Sequence, residues 1–316
     1  MRPSPLPPAL RDAPFGVADA QRLGVGPHRL RRSDLRAPTR GARCHDAPLS
    51  TADRARAVAA GLADGAAYSH VTAAVLWGIP LPADLEGRAV LDVVTRSDSG
   101  QVSRRGCRGH RGVESREVAL VGGVPVVGLA DTWCDLGDLG RRRLSVDDLV
   151  VAGDAAVARL DAADGVLRAE SAGVARLRAA LARRVRPRRA VALRQALGLV
   201  RAGVRSPQES RTRLLFGAAG LPEPEVNGLL TDRFGEFIGE GDLVWRRAGV
   251  VAEYQGAVHA PRARRSADSL RRELAVEEGW TVHEVWAEDL RPPRCRSLVL
   301  RVARSLGYEP SGLVLP

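Results

Sequence analysis

Apolar positions recur at two spacings along this 316-residue chain, and the spacing changes by region. From Ser206 onward, helical and strand periods alternate. The stretch "SPQESRTRLLFGAAG" is helical and carries its own boundaries. Ser206 is the N-cap, Pro207 the first helical position, Glu209 lies three residues after the cap, and Gly220 closes it. "EVNGLLT", "FGEFIGEGDLVW" and "GVVAEYQG" read as three strands. "RARRSADSLRRELAVEEG" reads as a helix, "WTVHEVWA" as a strand and "RCRSLVLRVARSLG" as a last helix. The core order is αβββαβ.

The front of the chain is less regular. After a Pro-rich start, "VADAQRLG" and "GPHRLRRSDLR" predict two short helices with helix–turn–helix spacing and a strand-like tail to about residue 50. Between 51 and 165, "ADRARAVAAGLADG" and "SHVTAAVLWG" have helical spacing, and "RAVLDVVT" and "VGGVPVVG" each read as a strand. "SVDDLVVAGDAAVARL" reads as a helix started by Ser145. His70 and Trp77 share a helical face, which predicts core packing, and no catalytic constellation stands out in this region. Residues 166–200 are helical on both sides of a break at Pro187.

Composition adds two things. Net charge is +11, and all 48 basic residues are Arg, with no Lys. That charge is banded: +5 over 1–50, −3 over 51–165, +8 over 166–200 and +1 over 201–316. Uniform base-composition bias would not produce such bands, so a nucleic-acid partner is expected. Arg29, Arg31, Arg32 and Arg36 near the second short helix, and Arg40 and Arg43 on a wing, are the expected phosphate contacts. "RRVRPRR" is either a backbone-tracking cluster or a solvated hinge. Four scattered cysteines fit a reducing cytoplasm. Cys107 and His110 have the spacing of half a metal site, but no second half follows. The first residues lack the apolar core of a secretory signal, and no run approaches the roughly 18 apolar residues of a membrane helix.

The chemistry concentrates in "GEGDLVWRRAGVVAEYQGAVH". A turn centred between Arg247 and Ala248 sets Asp242 opposite Glu253. Strand alternation then groups Leu243, Trp245, Val250, Ala252 and Tyr254 on an apolar face, and Glu240, Asp242, Glu253 and Gln255 on the other. Facing carboxylates repel, and no basic residue of the hairpin shares their face. A divalent cation, Mg²⁺ or Mn²⁺, would relieve them, since Mg²⁺ takes one or two carboxylates plus water and phosphate oxygens. Separation onto opposite faces, or an arginine link to either carboxylate in a closed site, would remove the case for a metal.

With that order and those residues, "SPQESRTRLLFGAAGLPEPEVN", "GDLVW", "AEYQGAVH" and "LRRELAVEEGWTVHEVWAEDL" resemble the Vsr-like domains of the PD-(D/E)XK nuclease superfamily, over roughly 206–290. The resemblance implies a restriction-endonuclease-like fold with Asp242 and Glu253 as metal ligands. Glu209 would be the supporting acid, Gln255 would stand where Lys is usual, and His259 would match a His that often follows. Gln255 orients a water but brings no charge, and Glu209 is equally a capping residue. Arg264 and Arg265 are candidate phosphate contacts on the next helix. The segments "PFGVADAQRLGVGPHRLRR", "AAYSHVTAAVLWGIPLP" and "VPVVGLADTWCDLG" resemble the AbiEi-type antitoxin arrangement, a winged helix followed by an α/β domain. The expected whole is an α/β multi-domain chain. It has a winged-helix segment at 1–50, an α/β domain at 51–165, an Arg-rich connector at 166–200 and a nuclease domain at 201–316. It is expected to be cytoplasmic, to lie off the membrane and to cut duplex DNA. The rival reading is a non-catalytic DNA-binding regulator, with a homodimer or a toxin-like protein partner left open.

Overall fold

A computed structural model describes residues 4–11, 14–45, 50–59, 61–164, 171–256 and 262–316, with 164 and 262–269 described by backbone alone. The chain is a multi-domain protein of mixed helix and sheet. It divides into two compact units: unit 1 is Met1–Ala152 with Ala175–Gly198, and unit 2 is Gly153–Val174 with Leu199–Pro316. Among the described residues no helix is long and apolar enough to cross a membrane.

Unit 1 begins with a small core of Leu6, Leu10, Phe15, Val25, Leu30 and Leu35. Strand β1 (Phe15–Gly16) pairs antiparallel with β2 (Ala42–Arg43), and between them lie α1 (Val17–Arg22) and α2 (Pro27–Leu30). The second expected helix is thus a single turn. Leu30 and Leu35 are both buried in this core, whereas a continuous helix would set them about 140° apart. The chain turns after Leu30 and buries both.

Next come α3 (Thr51–Ala59), β3 (Ala67–Tyr68), α4 (His70–Leu76), α5 (Ala83–Glu86), β4 (Leu91–Thr95) and β5 (Cys107–Arg111). Strands β6 (Val118–Val121) and β7 (Val124–Val127) and helix α6 (Leu129–Leu136) follow. The sheet order is β5-β4-β3-β7-β6, with β4/β5 and β3/β7 parallel. The stretch "VGGVPVVG", expected as one strand, holds all of β7 in Val124–Val127, and opens with the end of β6 and the turn between the two. Gly122 and Gly123 both have positive φ (55° and 82°), the two-residue turn that reverses a strand. Helix α7 (Val146–Asp164) starts at Ser145, whose Oγ accepts the Asp148 N–H at 3.0 Å. Its residues from Gly153 onward belong to unit 2. Helices α8 (Ala172–Arg183) and α9 (Ala190–Leu199) flank Pro187.

Unit 2 is built on one sheet, in order β11-β10-β9-β8. Helix α10 (Pro207–Ala218) leads into β8 (Glu225–Thr231), β9 (Phe237–Trp245) and β10 (Val250–Tyr254). Then come α11 (Arg262–Glu277), β11 (Thr281–Val285) and α12 (Arg294–Ser305). Strands β8, β9 and β10 are antiparallel neighbours, and β11 runs parallel to β10. One sheet face packs Leu243, Trp245, Val250 and Ala252 against Phe216 of α10 and Leu298, Val299 and Val302 of α12. The other packs Val244 and Val251 against Ala275 of α11 and Trp280. The face expected to be polar is therefore half apolar, because α11 covers it.

Candidate functional site

The hairpin register is the expected one: Trp245 pairs with Val250, Val244 with Val251 and Leu243 with Ala252. The β9–β10 ladder stops there, one residue short of Asp242. Asp242 Oδ2 instead accepts the Tyr254 N–H at 2.7 Å, so a side chain takes the place of the next ladder bond. On the far side of β9, Asn227 of β8 has φ 49°. Three strands are locally distorted at one level of the sheet, and the acids gather there.

Asp242 is pushed from its ordinary value up to about 6. Burial is the main cause, the Tyr254 N–H works against it, and the charges of Glu209 and Glu253 raise it further. Glu209 is buried at the third position of α10. Its N–H donates to Ser206 Oγ at 3.2 Å, and its Oε2 accepts from the Arg205 N–H at 3.0 Å and from Asn227 Nδ2 at 3.1 Å. It locks the helix start and acts electrostatically on Asp242.

Glu253 is 6% exposed. Arg271 Nη2 donates to its Oε1 at 3.3 Å and Arg272 Nε lies 4.0 Å from its Oε2. The hairpin itself carries no compensating cation, but α11 does. The link is not sealed in: the Arg271 and Arg272 side chains are 31% and 30% exposed. Glu240, expected in the same acidic group, is held by Arg205. Gln255 donates its backbone N–H to Val285 O at 2.8 Å and is half-buried at the end of β10. His259 lies outside the described residues. Arg264 and Arg265 fall on α11, with their side chains outside what is described.

Among the described residues no group of three or more His, Cys, Asp or Glu side chains is arranged to hold a metal ion. Asp242 and Glu253 nevertheless fit a hard divalent cation by donor type. Both are carboxylates withdrawn from solvent, and Mg²⁺ is commonly held by one or two carboxylates with the remaining positions left to water and substrate.

The basic residues of unit 1 divide into two groups. Arg29 is mostly occupied: its Nη atoms donate to Asp34 at 3.1 and 2.8 Å and its Nε to Ser4 O at 2.6 Å. Arg31, Arg32, Arg36 and Arg40 are exposed. In "RRVRPRR", Arg184 lies 3.2 Å from Asp131 and 2.9 Å from Asp135, and Arg183 lies 3.3 Å from Asp131, while Arg186 and Arg188 are exposed.

Sequence reasoning missed a second constellation. His70 is 1% exposed, as core packing predicts, but its polar neighbours are Ser69 and Asp138, and its ring stacks on His110. Cys107 and His110 are an odd number of positions apart on β5. Cys107 packs on the apolar cluster while His110 meets Asp92, which disposes of a shared metal. Trp77 donates its Nε1–H to Val127 O at 2.8 Å. No local signal marks the group, because its members come from separate segments.

No protein-family model matches the chain, and no solved structure matches it. Two curated proteins of Mycobacterium tuberculosis are similar: Uncharacterized protein MT2308 (strain CDC 1551 / Oshkosh) and Uncharacterized protein Rv2248 (strain ATCC 25618 / H37Rv). Each is 32% identical over 152 residues, 48% of this chain and 54% of theirs. The chain thus spans about half the length of these relatives.

Proposed function

We propose that unit 2 is a restriction-endonuclease-like domain that hydrolyses phosphodiester bonds in DNA with a divalent cation, and that unit 1 supplies DNA targeting through a winged-helix-like N-terminal segment. The observation that carries the reading is the convergence of Asp242 and Glu253 on adjacent strands, at the level where the ladder opens, with Glu209 close enough to raise the Asp242 carboxyl. The αβββαβ order, with β11 parallel to β10, supports it.

In this reading Asp242 and Glu253 hold Mg²⁺ or Mn²⁺, which when bound supplies Lewis acidity toward the scissile phosphate. Glu209, fixed by two hydrogen bonds, keeps the local potential negative. Gln255 positions a water by hydrogen bonding. Arg271 and Arg272, bound to Glu253 but a third exposed, are able to turn toward substrate phosphate as a cation takes over the carboxylate. The first prediction follows: in Mg²⁺ the protein nicks supercoiled plasmid, and Glu253→Ala loses nicking while keeping DNA binding. Equal cleavage by both proteins overturns the reading.

One observation favours the rival, a DNA-binding regulator of antitoxin type without chemistry. The Arg271–Glu253 link already neutralises one ligand, and the chain has no Lys to pair with the water. On that reading Mn²⁺ gives no heat in calorimetry and no change in melting temperature.

A further inference from the structure

Unit 1 contains a cleft of about 690 Å³ that the proposed function leaves unused. Its floor is the histidine pair. His70 and His110 stack with ring centroids 3.7 Å apart and planes 19° from parallel. Each imidazole has a carboxylate: His110 Nε2 lies 3.0 Å from Asp92 Oδ1, and His70 Nε2 lies 3.4 Å from Asp138 Oδ2. Asp92 is fully buried, so the His110 ring is held at one nitrogen and keeps Nδ1 as its remaining polar atom. Asp135, the other acid of the lining beside Asp138, is taken by Arg116 at 2.9 Å and Arg184 at 2.9 Å.

The acids of the lining are thus already matched, whereas three of its cations are not. Arg111 at the end of β5, and Arg186 and Arg188 in the turn between α8 and α9, line the cleft and are exposed. Among the described residues none of these three side chains makes a hydrogen bond or a salt bridge; burial raises the Asp138 carboxyl, and the His70 hydrogen bond and charge, with the charge of Arg188 after them, more than offset it. The backbone is strained at the same place. Four non-glycine residues among those described have left-handed φ. His70 (50°) and Arg186 (49°) line the cleft, and Arg189 (53°) adjoins it; the fourth, Asn227, holds Glu209. Strain of this kind persists where the surroundings over-determine a working geometry.

Three unmatched guanidinium groups above a matched floor call for an anion. The volume suits a small molecule or the end of a chain, not a long duplex. Three planar forks and one imidazole suit the three free oxygens of a phosphate monoester better than the two of a backbone phosphodiester. We infer that this cleft binds a terminal phosphate, of a nucleotide or of a 5′-phosphorylated strand end, through Arg111, Arg186 and Arg188 with His110 beneath.

The test is calorimetry on the full chain in EDTA with three probes: AMP, a short 5′-phosphorylated single strand, and the same strand with a 5′-hydroxyl. The phosphorylated strand, AMP or both are expected to bind, with the hydroxyl strand at least about tenfold weaker. Arg111→Gln/Arg188→Gln is expected to weaken that binding by at least about tenfold with an unchanged melting temperature, since both side chains are exposed. Asp242→Asn is expected to leave it intact. AMP binding alone identifies a free nucleotide as the ligand, and strand binding alone identifies a strand end. Equal affinity for the two strands without AMP binding, absence of binding by all three probes, or an unaffected double variant overturns the inference.

Discussion

Burial makes Asp242 a reluctant anion, and this has a consequence in solution. Folding raises its carboxyl from 3.8 to about 6, so the folded chain holds that proton more tightly than the unfolded chain. The stabilisation is complete below pH 3.8 and is lost as pH climbs to about 6, on the order of 2–3 kcal/mol in all. Replacing Asp242 with Asn removes the loss. The stability gap between Asp242→Asn and wild type is therefore expected to widen in favour of the variant from pH 4 to pH 7 in urea melts. A gap that does not vary with pH contradicts the burial argument. If a cation binds here, Mn²⁺ raises the wild-type melting temperature mainly above pH 6, where it no longer competes with a proton. Arg213 illustrates a different use of charge. It is 1% exposed and bonds Asp154 at 3.1 Å, Leu199 O at 2.8 Å and Glu223 at 2.9 Å. Arg213→Met is expected to cost about 3–5 kcal/mol by leaving Asp154 buried without its cation, and Arg213→Met/Asp154→Leu to recover much of that. Additive losses in the double variant would show that the pair is not coupled.

At the scale of elements, β9 is tuned by glycine. A Cβ on Gly241 would lie 2.4 Å from Val251 Cγ2, so Gly241→Ala is expected to lower stability by about 1–3 kcal/mol without touching a carboxylate. A Cβ on Gly239 would lie 2.4 Å from Arg271 Cδ. Gly239→Ala displaces that arginine from Glu253, and the expected outcome is tighter Mn²⁺ binding by calorimetry; weaker or unchanged binding means the arginine does not compete with the ion. The hairpin register was legible because a short turn and period-two alternation define it locally. The ladder's end at Leu243 was not, since it depends on Asn227 in the neighbouring strand and on Asp242 capturing the Tyr254 N–H. Strand β7 was legible within "VGGVPVVG", but its partner β6 was not: the two glycines signal a turn, and the apolar residues on either side mask it.

At the scale of the molecule, charge location matters more than the total. Counting arginines overestimates the free ones, because Arg29, Arg116, Arg184 and Arg213 are committed to carboxylates within their own units. Duplex binding by the N-terminal segment is expected to weaken by a similar factor on every sequence in Arg31→Ala/Arg36→Ala, and its log–log salt slope to fall by up to about 2. Arg29→Ala is expected to act instead through melting temperature, since it ties Ser4 and Asp34 together. A slope unchanged by the first variant removes those two arginines from the interface.

Taken by itself, the chain determined what short-range physics controls. That covers the Ser206 and Ser145 helix starts, the break around Pro187, the β9–β10 register and the placing of Asp242 and Glu253 on adjacent strands just past its last pair, each set by caps, turns and periodicity within a few residues. Tertiary structure alone decided the electrostatics. Arg271 reaches Glu253 from 18 residues away, Arg205 reaches Glu240 from 35, and His70 meets Asp138 from 68. Such encounters depend on which helix face docks on which strand, and a side chain's charge acts on whatever docking brings within a few ångströms, whatever the distance along the chain.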